Sequence, residues 1–202
     1  MKKLIVVFAA LFLSIASFAQ SDKETTELLD KAIAQFEKGG VEMKGVVHYG
    51  DGAFALTLKM DHERFNAKVA DFALWFDNKT QWFLRSDEIY ISQPSDQEQM
   101  AMNPYLLMKN AKEYFNIRSI ESKQLPKGAV AGLMVTSRNY SELESAKFFF
   151  DKDYHPISLK ATLQGGQYAE IEFTSFKNGL KHEDSDFVCD TKNYAAEIID
   201  MR

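Results

Sequence analysis

From Val41 onward, apolar and polar residues alternate with a period of two for most of the chain. Phe54, Leu56, Leu58 and Met60 alternate with Ala55, Thr57 and Lys59, and Ile157, Leu159, Ala161 and Leu163 alternate with Ser158, Lys160 and Thr162. Each run has one apolar and one polar face, as a strand covered on one side does. Phe65/Ala67/Val69, Phe72/Leu74/Phe76, Trp82/Leu84, Ile89/Ile91 and Ala169/Ile171/Phe173 repeat the pattern. Turn signals separate the runs at Gly50-Asp51-Gly52, Asp77-Asn78-Lys79, Ser86-Asp87 and Gly165-Gly166. Spacing this close predicts an antiparallel meander.

Two segments break the alternation. Ser21-Asp22-Lys23-Glu24 is a capping box, and Leu28, Leu29, Ala32, Ile33 and Phe36 follow at helical spacing before Gly39-Gly40; this predicts one amphipathic helix of about four turns. Further on, Pro94 precedes a second box, Ser95-Asp96-Gln97-Glu98, and Asn103-Pro104 supplies an N-cap and a first-turn proline for a helix running to about Phe115. Strands resume near Ile117. About nine to eleven strands of this length curl into a barrel or half-open barrel. The predicted class is mainly β: an antiparallel incomplete barrel with an N-terminal helix and a helical insertion that lids an apolar cavity.

Composition changes the picture at the N-terminus. Lys2 and Lys3, the apolar run Leu4 to Leu13 and Ser17-Phe18-Ala19 read as a cleaved export signal over residues 1–19. Residues 20–202 then form a single domain. Cleavage removes two lysines and no acid, taking the formal charge from −5 to −7. An acidic exported domain lacks the basic footprint of a nucleic-acid binder. Cys189 is alone in the sequence and closes no internal disulfide; a small apolar residue near the last strand is its expected role.

The chain offers little for catalysis. It has no Gly-x-Ser-x-Gly elbow, no Walker loop, no His-Glu-x-x-His and no Cys-x-x-Cys. His48, His62, His155 and His182 are scattered, and neighbours such as Asp61-His62-Glu63 on a strand point to opposite faces, so no metal site is expected. Glu170 and Glu172 share a face opposite Ala169, Ile171 and Phe173, which makes it a solvent face. No catalytic residue and no cofactor are predicted. The apolar inventory stands out instead. The chain holds 16 Phe, 8 Tyr and 2 Trp, and only Phe8, Phe12 and Phe18 fall in the leader. The helical insertion carries Met100, Met102, Leu106, Leu107 and Met108, and methionine repacks around varied apolar shapes. These five are the candidate lid. Phe54, Leu56, Leu58 and Met60, with Phe65, Leu74 and Trp82, are the candidate lining of a pocket for a lipid-like ligand.

The order of elements resembles a known family. The strand Phe54-Ala55-Leu56-Thr57-Leu58-Lys59-Met60 and the turn Trp75-Phe76-Asp77-Asn78-Lys79-Thr80-Gln81-Trp82 are similar to those of the LolA family of periplasmic outer-membrane lipoprotein carriers. Ile91-Ser92-Gln93-Pro94 through Asn103-Pro104-Tyr105, and the ending Ala196-Glu197-Ile198-Ile199-Asp200-Met201-Arg202, resemble its Bacteroidetes-type branch. The resemblance implies a non-enzymatic, cofactor-free monomer in the periplasm. It would take lipoprotein acyl chains from an inner-membrane releasing ABC transporter and carry them to an outer-membrane acceptor. It also implies an arginine, at the end of the first long strand, that hydrogen-bonds the lid closed; the matching residue here is Met60, and Arg64 lies in the following turn. A lipid- or lipopeptide-sensing module of the same architecture is the alternative, since fold alone does not fix function.

Overall fold

A computed structural model describes residues 23–95, 99, 103–138, 143–163 and 165–202. The export signal at 1–19, Asp96 to Glu98 of the second capping box, and Met100 and Met102 of the candidate lid lie outside the described residues.

The alternating runs become strands β1 (Gly40–Tyr49), β2 (Gly52–Asp61), β3 (Arg64–Val69), β4 (Phe72–Phe76), β5 (Gln81–Arg85) and β6 (Glu88–Ser92). After the helical insertion come β7 (Phe115–Ser119), β8 (Ala131–Ser137), β9 (Leu143–Phe150), β10 (Pro156–Leu163), β11 (Gln167–Leu180) and β12 (Glu197–Asp200). They form one sheet in the order β12-β6-β5-β4-β3-β2-β1-β11-β10-β9-β8-β7. Every pairing is antiparallel except that of β12 with β6. β7 and β12 end the sheet without meeting, so the barrel stays open. Among the described residues the strand count is twelve, above the nine to eleven expected, because the short β12 is added after the meander.

Two helices cover one face, here called the inner face. Helix α1 (Lys23–Phe36) turns Leu28, Leu29, Ala32 and Phe36 into the core. Helix α2 (Pro104–Tyr114) buries Tyr105, Leu107, Met108 and Ala111. The helices pack on each other and over β7, and α1 also reaches β8. Across the sheet, Phe83, Leu74, Ala67, Leu58 and Met43 are successive cross-strand partners and give the inner face one continuous apolar row. At ~1.5–3 kcal/mol for each fully buried large side chain, this face and its helical cover are the main source of stability.

The outer face has its own smaller cluster. Ala73, Trp75, Ile89, Ile91 and Cys189 are buried there, with Trp82, Leu84, Tyr194 and Ala196 packed around them. The chain reaches it after β11, running over the outside through a 3-10 turn at Asp184–Phe187 before it pairs with β6. Cys189 thus fills a small apolar position beside Trp75, as expected. Burial, with a smaller push from Asp190, raises its thiol to about 11.

Local sequence explains the turns and one irregularity. Asp77 Oδ1 accepts from the backbone N–H of Lys79 (2.9 Å) and Thr80 (2.7 Å), and Asn78 takes the left-handed conformation (φ 83°) that asparagine tolerates. Between Lys44 and Gly45 the β1–β11 register slips. A Cβ on Gly45 would collide with the carbonyl oxygen of Glu172. Gly45→Ala therefore requires the two central strands to separate. We expect it to cost about 1–3 kcal/mol, read as a lowered thermal midpoint by circular dichroism; an unchanged midpoint would show that the bulge does not need glycine.

Candidate functional site

Helix α2 is anchored at its N-cap. Asn103 is fully buried and precedes Pro104, so its side chain is held where helix geometry needs a cap. Its Oδ1 accepts from Tyr105 N–H (2.9 Å) and Leu106 N–H (3.2 Å). Its Nδ2 donates to the carbonyls of His62 (2.7 Å) and Glu63 (3.1 Å) in the β2–β3 turn. One side chain thus caps α2 and fastens it to the sheet. The His62 ring meets Tyr105 edge-on, with centroids 5.7 Å apart.

Beneath the helices lies a small apolar cavity. Leu29 of α1, Leu107, Met108 and Ala111 of α2, and Phe115, Leu133, Val135 and Phe148 of the sheet line it. Its volume is about 10 Å³, room for about one water-sized sphere. A void this small and this apolar stays dry, and an acyl chain enters only if α1 and α2 move off the sheet or side chains repack. Met108 is the lining residue best suited to repacking.

The structure places the expected lining residues in three groups. Leu56, Leu58, Met60, Phe65 and Leu74 are buried together in the inner-face core, and Phe54 packs at its margin. Trp82 belongs elsewhere. It pairs with Trp75, and both side chains project to the outer face, whereas its neighbour Phe83 pairs with Leu74 on the inner one. Phe83 is therefore the inward aromatic of β5. Of the lid residues that are described, Leu107 and Met108 line the cavity and Leu106 packs at the core margin. The cavity itself lies toward β7–β9, away from β2 and β4. The alternation signal passes over Leu133, Val135 and Phe148 because Leu133-Met134-Val135 and Phe148-Phe149-Phe150 are continuous apolar runs.

Charged groups sit outside this core. Glu170 accepts from Lys160 Nζ (2.8 Å) and Tyr168 Oη (2.8 Å), while Glu172 is an exposed partner 3.8 Å from His48. The two carboxylates are parts of separate surface pairs on a solvent face. Asp151, Asp153 and His155 gather in the β9–β10 turn. Asp151 Oδ1 is already engaged by the N–H groups of Asp153 and His155, each at 2.9 Å, which closes the turn. Around the β2–β3 turn, Arg64 donates to Asp61 (2.6 Å) and Asp184 (2.5 Å). These bonds, to Asp184 first, raise the Arg64 pKa. Burial pushes the Asp61 carboxyl up, but hydrogen bonds from Arg64 and His62 outweigh it and leave the group below its ordinary value. Lys59, bonded at 2.5 Å, lowers Asp186.

The family profile described as outer membrane lipoprotein carrier protein LolA matches residues 15–161. The chain belongs to the LolA family. No curated protein sequence matches it. Among solved structures, an uncharacterized conserved protein from Thermus thermophilus shares the fold, with a TM-score of 0.57 and 13% identity over 88% of this chain and 99% of that one. A LolA superfamily protein from Nitrosomonas europaea aligns at 0.44, with 10% identity over 82% and 98% of the two chains. A putative outer membrane lipoprotein-sorting protein domain from Vibrio parahaemolyticus aligns at 0.47, with 11% identity over 85% and 97%. LolA proteins are periplasmic carriers and typically non-enzymatic. In this LolA chain, Met60 is a core residue paired with Phe65, and Asn103 makes the hydrogen bonds from α2 to the sheet.

A pH dependence follows from the lowered carboxylates. Asp61, Glu170 and Asp186 all lie below their ordinary values. Their contribution is complete above the unfolded carboxylate pKa of about 4 and is lost as pH falls through the lower folded values. The thermal midpoint should stay level from neutral pH to about 5 and drop below about 4. A midpoint unchanged down to pH 3 would mean that these pairs do not contribute to stability.

Proposed function

We propose that this chain carries lipoproteins by sheltering their acyl chains between the inner face of its sheet and helices α1 and α2. Residues 1–19 direct export, and residues 20–202 act as one carrier domain, a periplasmic monomer. Cargo comes from an inner-membrane releasing ABC transporter and passes to an acceptor at the outer membrane. The reading calls for no cofactor and no covalent chemistry.

The observation that carries it is the nearly filled, wholly apolar space under α2. Burying an acyl CH₂ is worth roughly 0.8 kcal/mol, so one long chain represents on the order of 10 kcal/mol against water. A carrier that recovered all of this would not release its cargo. Here Leu107, Met108 and Leu29 line the space and nearly fill it, so loading must first displace apolar contacts of the same kind. Exchange of like for like keeps the net affinity moderate.

The direct test is incubation of the mature protein with membranes holding a lipidated protein, followed by recovery of that lipoprotein in the soluble fraction as a complex. Transfer from the complex to acceptor membranes distinguishes a carrier from a lipid sensor. No soluble complex, with a folded protein and an active donor, would overturn the reading. Leu58→Glu places a carboxylate in the inner row and should weaken binding of a fluorescent acyl probe at least about tenfold; a folded variant with full binding would exclude β2 from the site.

A further inference from the structure

The β2–β3 turn is held from both sides of the sheet. On the inner side, Asn103 of α2 is bonded to the carbonyls of His62 and Glu63, and Tyr105 packs on the His62 ring. On the outer side, Arg64 spans Asp61 and Asp184, and its guanidinium lies 4.8 Å over the ring of Phe187. Phe187 is fully buried and meets His182 edge-on at 5.7 Å. Lys59, at the end of β2, holds Asp186, and His182 approaches the carbonyl of Val41 at 3.2 Å. Four consecutive residues, Asp61 to Arg64, therefore carry the anchor of the lid inside and that of the C-terminal segment outside. His62 sits at the centre with φ 54°, the left-handed conformation that Ala70, Asn78 and Ser86 also take in the neighbouring hairpin turns, so the tight turn itself sets it.

We propose that this turn couples the two: loosening residues 182–189 from the outer face loosens α2 on the inner face and so regulates access to the apolar site. The regulatory role rests on the carrier reading, whereas the coupling itself does not. The mechanism is mechanical. The turn offers Asn103 two carbonyls only in one backbone conformation, and Arg64, clamped between Asp61, Asp184 and Phe187, restrains that conformation from outside. Freed on that side, the turn shifts against α2 and the paired acceptors for Asn103 are lost. Coupling between two sites is reciprocal. Loss of the Asn103 bonds must therefore loosen the outer segment to the same extent.

Amide hydrogen exchange on the lipid-free mature protein tests this in both directions. In Phe187→Ala, exchange at Leu106 to Ala111 should rise about fivefold or more, while Phe148 and Ala161 in the distant strands stay at wild-type rates. In Asn103→Ala, the amides of Asp186 to Cys189 should rise by a similar factor. Should Phe187→Ala fail to fold, the double variant D184N/D186N releases the same segment by removing its ion pairs, and the same rise at α2 is expected. If each variant speeds exchange only in its own element, the coupling is overturned. Acyl-probe binding by the wild-type protein is measured separately. Coupled exchange without probe binding would remove the carrier reading and leave the coupling, and binding without coupled exchange would do the reverse.

Discussion

A sheet that stops short of closing must cover its apolar face with something other than itself. Here the row from Phe83 to Met43, with its neighbours, leaves an inner face far too apolar for water, and α1 and α2 supply the cover. Much else follows from that one requirement. The helices must be amphipathic, α2 must be fixed at one end, and its Leu107, Met108 and Ala111 must match the sheet beneath them. A closed barrel would need none of this.

Much of this was legible in the sequence, for stated physical reasons. A period of two identified β2 and β10 because each has one wet face, and Asn103-Pro104 marked the start of α2 because asparagine caps a helix and proline fits its first turn. Trp82 illustrates where the signal fails. β5 reads Gln-Trp-Phe-Leu-Arg, with Trp82 and Leu84 on one face and Phe83 on the other. Both faces touch apolar clusters, so alternation shows that there is a strand without showing which side is inner. The outer cluster exists because the C-terminal segment crosses it, and no local pattern announces a segment that returns from more than a hundred residues away. Gly132 is a second case. Ile120 and Leu125 fold over it on the outer side, and a Cβ there would meet each at 3.1 Å.

Asn103 meets two physical needs at once. It bridges α2 and the sheet by hydrogen bonds. The asparagine does so while serving as the N-cap, so its geometry is set by the helix it anchors. Buried and fully hydrogen-bonded, it is expensive to leave unpartnered. A neutral amide also carries no charge into the apolar interior, which a guanidinium would require to be balanced.

The pairing of β1 with β11 bears on how the molecule forms. Gly40 to Tyr49 lie against residues 169–180, so the centre of the sheet joins the first strand of the meander to nearly the last. The hairpins β2–β3 and β4–β5 form from local contacts, but the two halves of the inner face cannot unite until residue 180 is available. Such a topology folds slowly and leaves its most apolar strands exposed while it waits. The chain thus stays unfinished for most of its synthesis, a handicap for a protein that must fold as it is made and no handicap for one that is held unfolded until its full length is in place.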